Sequence, residues 1–497
     1  MDPGNRRFIL LPERGLRAEP RHGREFSTLT SVGGARSTAP PMALSIPELP
    51  VPLTIIDSVQ ENGPKLVEAP ESAPLAVQAA PIGFRLAPLR EYRIALVASF
   101  APTPAPGASA AAAVAISVVD AVSGAPIAGA NVTAFTDFAK NEGAASATDS
   151  SGTARLALGN PPVAVERLYI SPPRNGYWGH YATSLRISPG DQFSLRRIDL
   201  TAGDVVRQMY AAAAPTDGAG VKVGVIDTGI DLHHPDLAVA SGRNTAHGES
   251  AAHYGDNGLG HGTHVAGIIA SRGSLPAGIT GLAPGVTLSS YRVFAANQQT
   301  TTNYEILKAM ILAVNDGCDI LNLSLGGVPA DDVMRDAIQD AADQGVLVVA
   351  AAGNDNRQAV NFPAAYAPGL AVTAFGKIGS FPAGTYDDCY VCATPASTTD
   401  PGLFIAAFSN IGPEVFFAAP GVGVISTISG GGYGAMSGTS MATPVVTGIA
   451  ARTLARSAAI QSMNRDTFRT RALTNALSAS ALNLGFPFNY QGFGRPA

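Results

Sequence analysis

The sequence predicts an α/β fold with a doubly wound, mostly parallel sheet in residues 201–497. Short, almost continuous apolar segments, typical of parallel strands covered on both faces, recur there at residues 221–226, 286–293, 319–323 and 346–352. Apolar residues at helical spacing lie between them, as in Leu307, Met310, Ile311 and Val314. Strands that alternate with helices indicate βαβ units, whose functional groups gather beyond the carboxyl ends of the strands.

Residues 1–110 are predicted to form a leader region that contains a small α+β module. A strand at 53–56, a short helix at 71–80 and an extended stretch at 84–98 are separated by turn signals. The apolar run after Arg6 and Arg7 has four residues, too few for the apolar core of a secretion signal, and we predict an edge strand there. A Pro/Ala/Gly-rich linker follows at 101–110. The alternative is a leader without fixed structure.

Residues 111–200, the middle region, are predicted to form an all-β sandwich. Short strands at 114–119, 131–135 and 153–158 are separated by turns such as the one that ends at Gly152. The single tryptophan, Trp178, is predicted to pack in a core and not to bind a ligand. With residues 201–497 as the C-terminal region, the chain is divided into three parts.

Composition excludes several classes of function. The 497 residues carry a net charge of −5, which provides no polybasic surface for nucleic acid or anionic lipid. No uninterrupted apolar run reaches the length of about 20 residues that a membrane-spanning helix needs. We expect a soluble protein with neither a classical signal peptide nor a transmembrane helix, and with no nucleic acid partner. Compartment and oligomeric state are left open.

The three cysteines cannot form a disulfide framework. Cys389 and Cys392 make one Cys-x-x-Cys pair, which is compatible with a loop disulfide, two reduced thiols, a redox pair or half of a zinc site. Neither a second cysteine pair nor a thioredoxin-like context accompanies it, so the first two interpretations are favoured. Cys318 is predicted to be a small buried side chain.

Three separated segments supply the groups that acyl transfer at a peptide bond requires. They contain Asp227 in Asp-Thr-Gly, His261 in His-Gly-Thr-His, and Ser440 in Gly-Thr-Ser-Met-Ala. An acid, a base and a hydroxyl nucleophile indicate covalent catalysis. Each segment alone has another interpretation: half of an aspartic-protease pair, a metal pair with His264, or a serine that only caps a helix. The catalytic interpretation explains all three together.

Over residues 216–494, these motifs and their order resemble the subtilisin-like (subtilase) serine endopeptidases. The resemblance implies that Asp227 orients and stabilises His261, that His261 is the general base, and that Ser440 is the nucleophile. It also implies a subtilisin-like fold for the predicted parallel sheet.

The same resemblance assigns the rest of the site. Asn354, in Ala-Ala-Gly-Asn, is implied to donate its side-chain amide in the oxyanion hole. Ser324, Leu325 and Gly326 match the strand that pairs with the substrate backbone. Without the other motifs, these positions would be a turn asparagine and an ordinary strand exit.

The chain departs from the subtilase pattern at three places. Asp236 matches a calcium ligand of the family, but the loop at 271–280 lacks the asparagine-containing pattern that completes the site. We therefore expect no metal and no cofactor. The stretch 355–362 is short where the family builds part of a specificity pocket, and an insertion at 377–404 carries Cys389 and Cys392. The side-chain preference is left open.

The two upstream parts also resemble known modules. The strand and turn pattern at 114–200 is similar to transthyretin-like or carboxypeptidase-regulatory-like modules, which are mostly spacers or docking units. The leader region lies where a subtilase propeptide would lie. We interpret the chain as a serine endopeptidase of polypeptide substrates that is made as a zymogen and cleaves itself before Thr216. A peptide acyl transferase or cyclase with the same triad and an inactive binding scaffold are the alternatives.

Overall fold

The computed structural model describes residues 5–16, 43–44, 51–60, 62–80, 83–95, 102–104, 113–173, 176–327 and 329–497. Most of the predicted linker at 101–110 lies outside these described residues. Within them, no helix is long and apolar enough to cross a membrane.

A mostly parallel sheet lies at the centre of the C-terminal region. In the described part of the chain it has eight strands, of which seven follow one another in the order Val239–Asn244, Thr287–Arg292, Lys222–Asp227, Ile320–Leu323, Leu347–Ala351, Leu370–Lys377 and Leu403–Ile405. The eighth, Val415–Pro420, pairs in parallel with Leu370–Lys377, while Leu403–Ile405 runs antiparallel to it. Four of these strands coincide with the apolar segments chosen from the sequence, so the predicted parallel sheet is confirmed.

Helices cover both faces of this sheet. Leu347 and Val349 pack into the core that contains the helices His261–Ala270 and Thr439–Arg456. The alternate residue Val348 points into the opposite core, because successive strand residues face opposite sides. That second core contains the helices Asn303–Asn315 and Asp332–Asp343. The remaining helices of the C-terminal region, as described, are Val205–Met209, Ala458–Gln461, Thr467–Ser480 and Phe488–Gln491.

The leader region contains a five-stranded sheet and one helix in its described parts. The strand order is Ala43–Leu44, Leu53–Ser58, Lys65–Pro70, Asn5–Pro12 and Phe84–Pro88, and the helix is Ala73–Ala79. The predicted edge strand at the N-terminus is wrong: Asn5–Pro12 pairs with Lys65–Pro70 on one side and with Phe84–Pro88 on the other. Its apolar residues are buried on both faces of the sheet, a pattern that does not specify which strands lie along its edges. Phe8 and Leu10 pack towards the helix, whereas Ile9 and Leu11 pack into a core of the C-terminal region.

The middle region folds around an apolar core of its own. One sheet has the order His180–Ile187, Val163–Ser171, Asn131–Asp137, Glu142–Ala147 and Thr103–Pro104, and the other has Thr153–Ala157, Ala113–Asp120 and Gln192–Leu195. Thr103–Pro104 belongs to the predicted linker, so the sheet extends beyond the predicted boundary at residue 111. Trp178 is buried, as predicted, but in a core of the C-terminal region. It therefore ties the two regions together.

Two small sheets and a short 3₁₀ helix complete the C-terminal region. Val424–Ile428 and Gly432–Met436 form an antiparallel hairpin. Thr300–Thr302 and Leu325–Gly326 enclose Glu91–Ile94, which comes from the leader region. The 3₁₀ helix Tyr386–Tyr390 lies in the insertion at 377–404.

Candidate active site

Asp227 and His261 are brought together by a strand end and a helix start. Asp227 is the last residue of Lys222–Asp227, and His261 is the first of His261–Ala270. His261 Nδ1 lies 2.7 Å from Asp227 Oδ1, and both side chains are fully buried. Gly262 permits this arrangement, because a Cβ there would lie only 2.3 Å from the oxygen of Gly229 and 3.1 Å from the Cβ of Asp227. Among the described residues, neither His261 Nε2 nor Asp227 Oδ2 has a hydrogen-bond partner.

Ser440 lies in the first turn of the helix Thr439–Arg456, two residues after Gly438. Its hydroxyl is 2.6 Å from the carbonyl oxygen of Ala95 and 3.0 Å from that of Ser324, so it can donate its proton to either. Ser324 Oγ in turn donates to the backbone oxygen of Ser440, at 2.9 Å. The hydroxyl of Ser440 thus faces a carbonyl group of the leader region.

Asn354 contacts the same carbonyl group. It follows the strand Leu347–Ala351, and its Nδ2 donates a hydrogen bond to the oxygen of Ala95. Its Oδ1 accepts hydrogen bonds from the backbone nitrogen and the hydroxyl of Thr439, both at 2.9 Å, which fixes the orientation of the amide. A Cβ on Gly438 would lie only 2.9 Å from the oxygen of Ala95, so this close approach requires glycine.

A strand of the leader region fills the groove that leads to Ser440. This segment, Glu91–Ile94, which we call the cleft strand, runs antiparallel to Leu325–Gly326 on one side and to Thr300–Thr302 on the other. The backbone nitrogen of Ala95, just after it, donates to the oxygen of Ser324 at 3.2 Å. The sequence predicted an extended stretch at 84–98 but gave no signal that it pairs with these residues.

The sequence profile of the Subtilase family matches residues 218–494, more than half of the chain. The chain belongs to the subtilase family. Subtilisin DY of Bacillus licheniformis is 35% identical over 277 residues, which cover 55% of this chain and 88% of that protein. Subtilisin BL of Lederbergia lenta is 38% identical over 234 residues, or 47% of this chain and 76% of that protein.

The thermostable alkaline protease of Halalkalibacterium halodurans is also 38% identical over 234 residues, which cover 47% of this chain and 56% of that protein. This subtilase thus spans little more than half the length of that relative. The family and the subtilisins identify a serine endopeptidase that acts on polypeptides.

His264 packs behind the site of this subtilase. Its Nε2 lies 3.0 Å from the oxygen of Val424 and 3.2 Å from that of Gly434, so the ring donates to these buried carbonyl groups. Burial, followed by the nearness of His261, lowers the pKa of His264 to about 3. The ring is therefore neutral at physiological pH.

The carboxylate at the suggested calcium position has a partner within the protein. Asp236 accepts a hydrogen bond from the hydroxyl of Tyr433. Among the described residues there is no group of three or more His, Cys, Asp or Glu side chains placed to hold a metal ion. All three cysteines belong to the described chain and are free thiols, with Cys318 buried.

Proposed function

We propose that this subtilase hydrolyses peptide bonds through an acyl-enzyme on Ser440, with His261 as general base and Asp227 as the carboxylate that orients it. The Asp227 carboxylate can only accept, so its contact with Nδ1 supports a tautomer whose Nε2 keeps a lone pair. Nε2 takes the proton of Ser440 as Oγ attacks the scissile carbonyl carbon, and then returns it to the leaving amine. Asp227 stays ionised throughout.

The observation that carries this proposal is the position of the Ala95 carbonyl group. It lies at hydrogen-bond distance from the hydroxyl of Ser440 and accepts a bond from Asn354. Asn354 thereby supplies a donor where negative charge develops when Oγ adds to the carbonyl carbon. Ser324, Leu325 and Gly326 bind the backbone before the scissile bond, as Ser324 does with Ala95 and the other two do with the cleft strand.

We propose further that the leader region, residues 1–110, contains an inhibitory propeptide and that the chain is a zymogen. The cleft strand blocks the groove, and the bond after Ala95 is the one presented to Ser440. Cleavage there releases residues 1–95 and leaves the middle region attached to the catalytic C-terminal region, residues 201–497.

For the middle region, residues 111–200, we propose a β-sandwich module of the transthyretin-like or carboxypeptidase-regulatory-like kind that acts as a docking unit. Its contacts with the insertion at 377–404 support this role. The hydroxyl groups of Ser171 and Tyr386 are 2.6 Å apart, and Tyr181 donates its backbone N–H to Gly384 at 2.9 Å. The module is thereby joined to the enzyme by more than the chain connection.

Labelling with a fluorophosphonate, read by intact mass, tests the proposal. We expect a covalent adduct on the wild type and loss of residues 1–95 from its mass. Ser440→Ala should take no label, remain full length, and lose about 10⁶-fold in turnover. Ser123→Ala, at an exposed loop of the middle region, is the matched control and should behave as the wild type.

Two results would point elsewhere. If neither the full-length chain nor the chain freed of its leader by limited proteolysis takes the label, this subtilase is an inactive binding scaffold. If a supplied amine appears in the products in place of water, the acyl-enzyme serves peptide transfer instead of hydrolysis.

A further inference from the structure

The side chain of Tyr92, in the cleft strand, is buried in the wall of the groove. Only 1% of Tyr92 is exposed, and it belongs to the same core as Leu325 and Val333 of the C-terminal region. The ring lies against Gly327, where a Cβ would be 3.2 Å from its Cδ1. Tyr92 stands three residues before Ala95, and it is therefore the fourth residue before the proposed scissile bond.

The hydroxyl of Tyr92 contacts a buried carboxylate. It donates a hydrogen bond to Asp331 Oδ2 at 3.2 Å, and Asp331 is 4% exposed. Asp331 caps the helix Asp332–Asp343 through Oδ1, which accepts from the backbone nitrogen of Val333 at 3.0 Å. Within the described chain, Oδ2 accepts one other bond, from Asn303 Nδ2 at 2.9 Å. Tyr92 is thus one of two side-chain donors to this oxygen.

Asn303 connects the same carboxylate to the peptide backbone before the cleft strand. Its Oδ1 accepts from the backbone nitrogen of Arg90 at 3.1 Å, and its backbone nitrogen donates to the oxygen of Arg90 at 2.9 Å. Asn303 and Asp331 both belong to the C-terminal region and remain when the leader is released. Together they form a polar end to an otherwise apolar pocket.

We propose that Asp331 is a specificity-determining residue, which makes this subtilase prefer polypeptide substrates with tyrosine at the fourth position before the cleaved bond. The inference rests on the proposed function, in which the cleft strand occupies the groove as a substrate does. A phenylalanine at that position fills the same apolar volume but removes one of the two side-chain donors to the desolvated oxygen. Sites built to hydrogen-bond a hydroxyl group discriminate strongly against analogues that lack it.

Burial of Asp331 increases the free-energy cost of losing its hydrogen bond with Tyr92. Desolvation raises the pKa of Asp331, and the bonds from Asn303, Val333 and Tyr92 oppose that rise. Loss of a donor to a buried charged acceptor lowers binding by roughly 10- to 100-fold. We expect that factor in the ratio of kcat/KM for a tyrosine over a phenylalanine peptide.

The test compares two peptides on the self-processed wild type. One carries Glu-Tyr-Arg-Ile-Ala, the sequence of residues 91–95, before a 4-nitroanilide, and the other carries Glu-Phe-Arg-Ile-Ala. The tyrosine peptide should be preferred by roughly 10- to 100-fold. In Asp331→Ser, whose hydroxyl group still caps the helix, the ratio should fall towards about 1, mainly through a slower tyrosine peptide.

Asp332→Ser is the matched control, because it removes the adjacent carboxylate, whose side chain is 66% exposed and pairs with Arg335. It should leave the preference unchanged. Equal rates for both peptides on the wild type would overturn the inference, whatever the folding of the variants, provided that fluorophosphonate still labels Ser440. Labelling without cleavage of either peptide would overturn it as well. Absence of both labelling and cleavage would overturn the proposed function, and the inference with it.

Discussion

The leader and middle regions both pack against the catalytic region, but by different kinds of contact. The leader contributes one face of its sheet, a strand in the substrate groove, and ion pairs such as Arg85–Asp336 and Lys308–Asp57, both at 2.5 Å. The middle region contacts the insertion at 377–404 and places Trp178 in the catalytic core. The leader is hydrogen-bonded to Ser440 and Asn354, the proposed catalytic groups, whereas no described residue of the middle region is.

This difference agrees with the roles that we propose, inhibition by the leader and support by the middle region. The insertion connects the middle region to the loop before Ser440, because Ser437 donates to Asp387 at 2.5 Å and accepts from the backbone nitrogen of Gly423 at 2.8 Å. Ser437 precedes Ser440 by three residues. The middle region therefore supports the loop that carries Ser440, the proposed nucleophile, while the leader occupies the groove in front of it.

Trp178→Ala tests whether packing of the middle region stabilises the C-terminal region, and it has the largest expected effect on stability. Trp178 is 6% exposed, and its removal leaves a cavity between two regions. We expect the free energy of unfolding to fall by about 3–5 kcal/mol, measured by urea titration in the Ser440→Ala background. Val122→Ala, at a position 89% exposed, is the control. A loss below about 1 kcal/mol would mean that the middle region is only tethered.

Asn354→Ala breaks the contact of the leader with the catalytic atoms. Turnover should fall by about 10²–10³-fold, a figure taken from the corresponding asparagine of subtilisin. Self-cleavage should slow with it, so the full-length chain accumulates during expression. Gln358→Ala, at an exposed position of the following loop, should process normally. Unchanged turnover of peptides would remove Asn354 from the oxyanion hole.

Asp387→Asn tests whether the buried carboxyl group in the insertion at 377–404 makes stability depend on pH. Burial raises the pKa of Asp387 to about 6. The folded chain therefore keeps this proton where the unfolded chain has lost it, and stability falls as the pH rises from about 4 to about 6. The asparagine variant lacks this fall.

Relative to Asp387→Asn, the wild type should thus lose up to about 3 kcal/mol of unfolding free energy over that window, both chains carrying Ser440→Ala. The opposite slope from His264 is common to both chains and cancels. Asp388→Asn is the neighbouring control. A difference that stays constant with pH would show that Asp387 does not titrate there.

Lys308→Gln tests the leader interface with the smallest expected effect. The ion pair with Asp57 is partly exposed, with side-chain exposures of 22% and 31%, and such pairs contribute about 0.2–1 kcal/mol. After self-cleavage, peptide-hydrolysing activity should appear about 2–5-fold sooner, because the leader dissociates faster. Lys140 pairs with Asp137 within the middle region, so Lys140→Gln should not change the time at which activity appears.

The sequence predicted what local patterns encode and missed what depends on distant pairing. The strand Lys222–Asp227 was visible from its apolar run, and Asp227, His261 and Ser440 from their motifs. The neighbours of Asn5–Pro12 were not, because an alternating strand carries no mark of which strands will flank it. The contact of Tyr92 with Asp331 joins residues far apart in sequence that form no motif.

The strand Asn5–Pro12 has a consequence for the fate of the leader. Its residues Ile9 and Leu11 pack, with other apolar residues of the leader such as Leu66, into a core that they share with the C-terminal region. In the activation that we propose, departure of the leader leaves this apolar face of its sheet exposed. A domain that has lost the packing of such a face unfolds more readily, and proteolysis follows the population of the opened form. We therefore expect the enzyme to degrade the released leader, so that inhibition is not restored.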